Sequence, residues 1–213
     1  MSGVLTRAFT APPFCEREAL RYAGAKVADE EMRQRLCDCF EEVADALTYR
    51  VCWQVLTAQE TAALVHSADL NKILDGCAQV LLFAATLGVE LDRRIARYGR
   101  ISPTKALLLQ AIGAERIEAL CDAFCAAFAA ENNVGLTRRF SPGYGDLALQ
   151  TQKDVFARLD CPRKIGLTLT DSLQMSPSKS VTAFVGITND VSPTKNDTCA
   201  RCDNAACDYR RTV

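Results

Sequence analysis

The chain has 213 residues, a formal net charge of −1, and 49% hydrophobic against 24% charged residues. That length suffices for one buried core with at most a small appendage, and the balanced charge excludes a general electrostatic attraction to nucleic acid. No apolar run has the length of a signal peptide, and nothing approaches the roughly 20 apolar residues of a membrane span, so a cytosolic protein is expected.

Residues 16–23 form a short helical pattern stopped by Gly24. Asp29 is a suitable N-cap for a longer helix carrying Met32, Leu36, Cys39, Phe40, Val43 and Leu47 at helical spacing. Between Tyr49 and Thr57 the period becomes two, predicting a half-buried strand. A short amphipathic helix follows at 69–75, then Gln79 to Leu87, apolar almost throughout, as a central strand covered on both faces. After Gly88, residues 89–98 read as a charged helix containing Asp92-Arg93-Arg94.

Ser102-Pro103 opens a long alanine-rich helix reaching about Glu131, in which Gly113 introduces either a bend or a close neighbour. The remaining expectations are a strand at 136–140, a helix at 149–159, a strand at 164–170 and a last strand at 181–187. Helices interspersed with strands joined by tight turns predict an α+β fold over residues 1–189. Residues 190–213 are a polar, Cys-rich tail.

Arg138-Arg139-Phe140-Ser141-Pro142-Gly143-Tyr144-Gly145-Asp146 stands apart. Two guanidinium groups end an alternating run, and the glycines permit positive φ and a close approach to the main chain. Tyr144 adds an aromatic face with a polar tip. Such a set suits a ligand with a carboxylate and a flat heterocycle, or else it is a decorated turn. Downstream, residues 164–186 hold two strands joined by a polar loop with Pro177, whose hydroxyls can satisfy loop backbone groups.

In that order the two stretches resemble the activation domain of cobalamin-dependent methionine synthase, in its short stand-alone form. The family pattern Arg-x-x-Pro-Gly-Tyr is matched by Arg139, Pro142, Gly143 and Tyr144. Its second pattern is matched by Thr170, Ser172, Met175, Pro177, Ser180 and Val181, with Asp171 where the family has Glu. Residues 16–135 resemble the family more loosely, including Glu-Leu-Asp-Arg-Arg-Ile at 90–95.

The resemblance implies a mixed or antiparallel sheet with several helices, one of them long. It also implies binding of S-adenosylmethionine, whose methyl group and one electron convert cob(II)alamin to methylcobalamin, a catalysis of positioning. Arg139 would hold the ligand carboxylate, main-chain groups around Ser141 and Gly143 would contact the ligand, and Tyr144 would pack beside it. An acidic residue of the long helix would contribute, with Glu118 or Glu115 as candidates. Asp146 is alternatively the N-cap of the next helix. The chain leaves the family pattern near Asn189, so part of the wall made by the family's closing tyrosine segment is missing or replaced; the cobalamin signature Asp-x-His-x-x-Gly is absent, so a partner protein would carry the cobalamin. His66, the single histidine, is then a structural or surface residue.

Eleven cysteines without a secretory signal are expected to be thiols, with Cys37, Cys52, Cys77, Cys121 and Cys125 behaving as small hydrophobes. Cys199, Cys202 and Cys207 have the spacing of zinc or iron–sulfur ligands. A fourth ligand would come from Cys161, a partner or solvent; alternatively the tail binds no metal. Three functions therefore stand open. The chain is a reactivation subunit contributing to methionine synthase activity with a corrinoid-binding methyltransferase and a reductant. Alternatively, it is a non-catalytic subunit docking the corrinoid protein, or an electron-transfer protein acting through its Cys tail.

Overall fold

The computed structural model describes residues 3–25 and 28–190. The tail cysteines Cys199, Cys202 and Cys207 lie outside the described residues. Five strands form the main sheet: β1 (Leu5–Ala8), β2 (Arg50–Thr57), β3 (Gln79–Thr86), β4 (Gly135–Leu136) and β7 (Ser180–Thr188). Their order is β1-β2-β3-β7-β4, and every ladder is antiparallel. The apolar run at 79–87 is thus the middle strand, as its composition requires. A separate hairpin joins β5 (Thr168–Leu169) to β6 (Met175–Ser176).

Two helical layers cover the sheet. On one face Val51, Trp53, Leu81, Phe83, Ala85, Ala183 and Val185 pack against α1 (Glu16–Tyr22), α2 (Glu30–Ala44), α5 (Glu90–Ile101) and α6 (Pro103–Asn132). On the other, Cys52, Leu56, Val80, Leu82, Ala84 and Phe184 pack against α3 (Ala58–Leu64), α4 (Ala68–Ile73), α7 (Gln152–Leu159) and α8 (Cys161–Ile165). Successive residues of each strand serve opposite faces, as the pleat dictates.

The 30 residues of α6 span about 45 Å. Phe124 anchors this helix, its ring lying 5.0 Å from Phe83, 5.3 Å from Trp53 and 6.1 Å from Phe9. Neighbours on several sides explain its apolar character around most of the circumference. Gly113 does not break it. A Cβ there would come within 2.7 Å of Leu91 Cδ2 and 2.9 Å of Lys179 Cγ, so the glycine admits α5 and the segment before β7.

Several expectations need correction. β2 is covered on both faces: Cys52 and Gln54 are buried, and the Gln54 oxygen accepts the Arg158 Nε–H at 2.8 Å. The polar residue in its alternation marks a buried hydrogen bond, not solvent. The strand expected at 164–170 is confined to Thr168–Leu169, because Pro162 starts α8 and Gly166, at φ 72°, ends it. Elements missed include β1, α8, β6 and α3, whose capping box pairs Thr57 with Glu60. No helix among the described residues is long and apolar enough to cross a membrane.

Candidate functional site

One irregularity at the sheet edge shapes the candidate site. β4 pairs Leu136 with Ile187, yet the next bridge joins Phe140 to Phe184. Four steps along one chain therefore oppose three along the other, which is a bulge rather than the regular strand expected at 136–140. Thr137 fills it: its N–H bonds the Gly186 carbonyl at 2.9 Å, and its Oγ1 accepts the Gly186 N–H at 2.8 Å. Gly186 has no room for a Cβ, which would lie 2.5 Å from Cys77 Sγ. The slip of one residue exchanges faces. Leu136 packs with the α6-side core, whereas Phe140 belongs to the opposite one. Arg139 is thereby brought to the α6 side.

There it meets two carboxylates one helical turn apart. Arg139 Nη2 donates to Glu118 Oε2 at 2.7 Å, and Nη1 donates to Asp122 Oδ1 at 2.6 Å. The arginine side chain is 17% exposed, Glu118 35% and Asp122 50%. Burial works to lower the Arg139 pKa, but neighbouring Cys121 and the negative charge of Glu118 and Asp122 outweigh it and hold the guanidinium firmly protonated. Glu115 is excluded from this cluster. It is buried, bonds the Cys15 N–H at 3.1 Å and pairs with buried Arg116, which donates to Pro12 O at 2.5 Å and Pro13 O at 2.7 Å. Asp122 was missed by the sequence reading, although the i, i+4 spacing from Glu118 could have drawn attention to it.

The loop after Arg139 bonds to itself. Tyr144 N–H reaches Ser141 O at 3.2 Å, Leu147 N–H reaches Tyr144 O at 3.0 Å, and Gly143 N–H reaches Leu147 O at 2.8 Å. The Ser141 carbonyl and the Gly143 amide are thus engaged internally. Gly143 and Gly145 take φ of 92° and 53°. The close neighbour at Gly145 is the protein itself, since a Cβ would lie 2.5 Å from Asp69 Oδ2 and 3.2 Å from Phe140 Cζ. Tyr144 is 67% exposed at the loop tip. Asp146 does not cap the following helical segment. It reaches across to α4, accepting the Ser67 hydroxyl, the Ala68 N–H at 2.7 Å and the Asp69 N–H at 3.2 Å. The Ser67 hydroxyl and these amides draw its carboxyl below the usual aspartate value.

The second motif is a scaffold of hydroxyl bonds. Thr170 Oγ1 lies 2.9 Å from Ser172 Oγ and accepts the Gln174 N–H at 3.1 Å. Buried Ser180 Oγ donates to Pro177 O at 2.8 Å and lies 2.8 Å from Thr86 Oγ1, and Ser178 bonds Asp92 through both its N–H and hydroxyl at 2.6 Å. β7 connects the motifs: it begins at Ser180 and faces Phe140 at Phe184.

Cys52, Cys77, Cys121 and Cys161 are buried free thiols, while Cys37 and Cys125 are half-buried. Burial pushes the Cys77, Cys121 and Cys125 thiols up, away from the reactive thiolate. Cys161, one candidate for a fourth ligand to the tail, is wholly buried, with Cys52 and then burial raising its pKa. No group of three His, Cys, Asp or Glu able to hold a metal occurs among the described residues. His66 is exposed between α3 and α4.

No protein-family model and no curated protein matches this chain. Its structure is similar to a solved one, the crystal structure of the MetH reactivation domain bound to AdoHcy. The superposition covers 88% of this chain and 79% of that one, with a TM-score of 0.58 and 16% sequence identity. At that identity the likeness speaks for the fold, which agrees with the resemblance carried by the two motifs. The chain has the α+β fold of the MetH reactivation domain.

Proposed function

We propose that the chain is an S-adenosylmethionine-binding reactivation subunit for a separate cobalamin-dependent methionine synthase or related methyltransferase. The observation that carries this reading is the Glu118–Arg139–Asp122 cluster at the root of the Ser141–Gly145 loop, within a fold whose solved relative carries AdoHcy. A guanidinium beside carboxylates answers both ends of an amino acid: the arginine fork takes the carboxylate, and Glu118 takes the ammonium. One positive and two negative charges sum to −1, which also favours a ligand with a sulfonium. Tyr144, exposed at the loop tip, offers its ring to the adenine.

The bound ligand supplies a methyl cation. Together with one electron from an external reductant, that methyl converts the partner's cob(II)alamin to methylcobalamin and leaves AdoHcy. This chain's residues anchor the amino acid end so that the sulfonium points at the partner. Within this proposal the corrinoid arrives on another protein, and Cys199, Cys202 and Cys207 hold zinc or an iron–sulfur cluster. Metal analysis of anaerobically purified protein tests that last element, and a metal-free, colourless protein removes it.

Isothermal titration with S-adenosylmethionine and with AdoHcy tests the core of the reading. Binding that is lost in Arg139→Ala is expected; no binding, or equal binding by the variant, overturns it. A second reading, a docking subunit without the ligand, draws on the fact that both terminal nitrogens of Arg139 already have carboxylate partners. A methylcobalamin-forming assay with the partner and a reductant separates the two, because only the first requires Arg139.

A further inference from the structure

Resting on that ligand reading, we infer that Asp122 is an internal substitute for the ligand's carboxylate, a positioning and specificity residue that holds Arg139 until the ligand displaces it. A ligand carboxylate gripping the fork needs an N–H from each of two neighbouring nitrogens. In this structure Nη2 gives one to Glu118 and Nη1 gives one to Asp122. The two carboxylates are unequal. Glu118 is the more buried at 35% exposure, and Asp122 at 50% is the one water already reaches. Releasing the outer carboxylate costs little, because its charge is resolvated as it leaves.

The exchange conserves charge on Arg139: one outer carboxylate leaves and another arrives, while Glu118 stays. An adenosyl compound lacking the amino acid end cannot make this exchange. The cluster thus favours ligands with a complete zwitterionic terminus over truncated nucleosides. It also keeps the guanidinium oriented and charged when the site is empty, avoiding an unpaired cation at 17% exposure.

The test compares the wild-type full chain with Asp122→Asn, a change of charge with little change of shape at a half-exposed position. AdoHcy is the probe, since it carries the carboxylate without the sulfonium. The variant is expected to bind AdoHcy about fivefold more tightly, the scale of a partly exposed ion pair. 5′-Methylthioadenosine, which has no carboxylate, is expected to bind both proteins equally. Independently of any ligand, phenylglyoxal should modify Arg139 faster in the variant, because one partner of the guanidinium is gone. Equal or weaker AdoHcy binding by the variant, or equal tightening of both probes, overturns the role of Asp122 alone. Absence of AdoHcy binding in both proteins overturns the ligand reading itself, and this inference with it.

Discussion

The helix α6 carries carboxylates of two arginine clusters within a few turns, and solvent reaches only one of them. Arg116 and Glu115 are 0% and 4% exposed, and both are closed off by main-chain atoms of the 12–15 segment. Arg139 comes from another element and meets Glu118 and Asp122 at a surface that solvent reaches. The first cluster is saturated by the protein and serves only to tie the N-terminal segment to the core. The second is satisfied by side chains that solvent reaches, which on the proposed reading exchange for a ligand. On the proposed reading, identical groups become structural or recognitive according to whether their partners can leave.

The comparison is broken most strongly at Arg116. Arg116→Ala leaves Glu115 buried without its cation and is expected to cost about 3–5 kcal/mol in urea denaturation, with little effect on ligand affinity beyond folding. A loss near zero would mean that water enters the cluster. Arg139→Ala should invert that pattern. AdoHcy affinity is expected to fall on the order of a hundredfold, as for the loss of charge-assisted bonds, while stability changes by about 1 kcal/mol or less.

Thr137→Val probes the bulge that brings Arg139 to α6. It strands the Gly186 N–H and should cost about 1–2 kcal/mol, with a weaker AdoHcy complex because Arg139 loses its support. The smallest effect is expected at Asp146. Its carboxyl titrates lower in the folded chain than the ordinary value of about 3.9, so it adds stability above that pH, and the contribution is lost as pH falls through the folded value. In Asp146→Asn, the fall in melting temperature below about pH 4 should be shallower, and the neutral-pH stability lower. An unchanged pH profile would remove the cap on α4.

How far these clusters were legible in the sequence depends on whether local pattern or long-range pairing makes them. The motif Arg139–Tyr144 was legible as a tight turn from its glycines and proline, and it stood out as more than a turn only through its pairing with Thr170–Val181. Its acidic neighbour on α6 was placed at Glu118, with Glu115 as the other candidate and the register left uncertain. Helical phase cannot say which side faces a loop and which faces the segment at 12–15. Asp146 was visible as a capping residue, yet its helix lies some eighty positions earlier in the chain, at Ser67–Asp69. α3 carried a readable Thr57–Glu60 capping box, whereas β1 is four residues long and exists only through its ladder with β2.

The sequence by itself determined the α+β class, the central strand at 79–86, the long helix from Pro103 and the tight glycine turn after Arg139, because periodicity, caps and turn residues act within a few positions. The side on which Arg139 emerges belongs to the tertiary structure alone. A regular strand through 136–140 would put Leu136 and Phe140 on one face and Arg139 on the other. The extra residue between the Ile187 and Phe184 pairings reverses that, carrying Arg139 to Glu118 and Asp122. A bulge is set by the fit of two strands across a sheet, with Gly186 and Thr137 supplying the room and the missing hydrogen bond, and no local pattern in either strand encodes it.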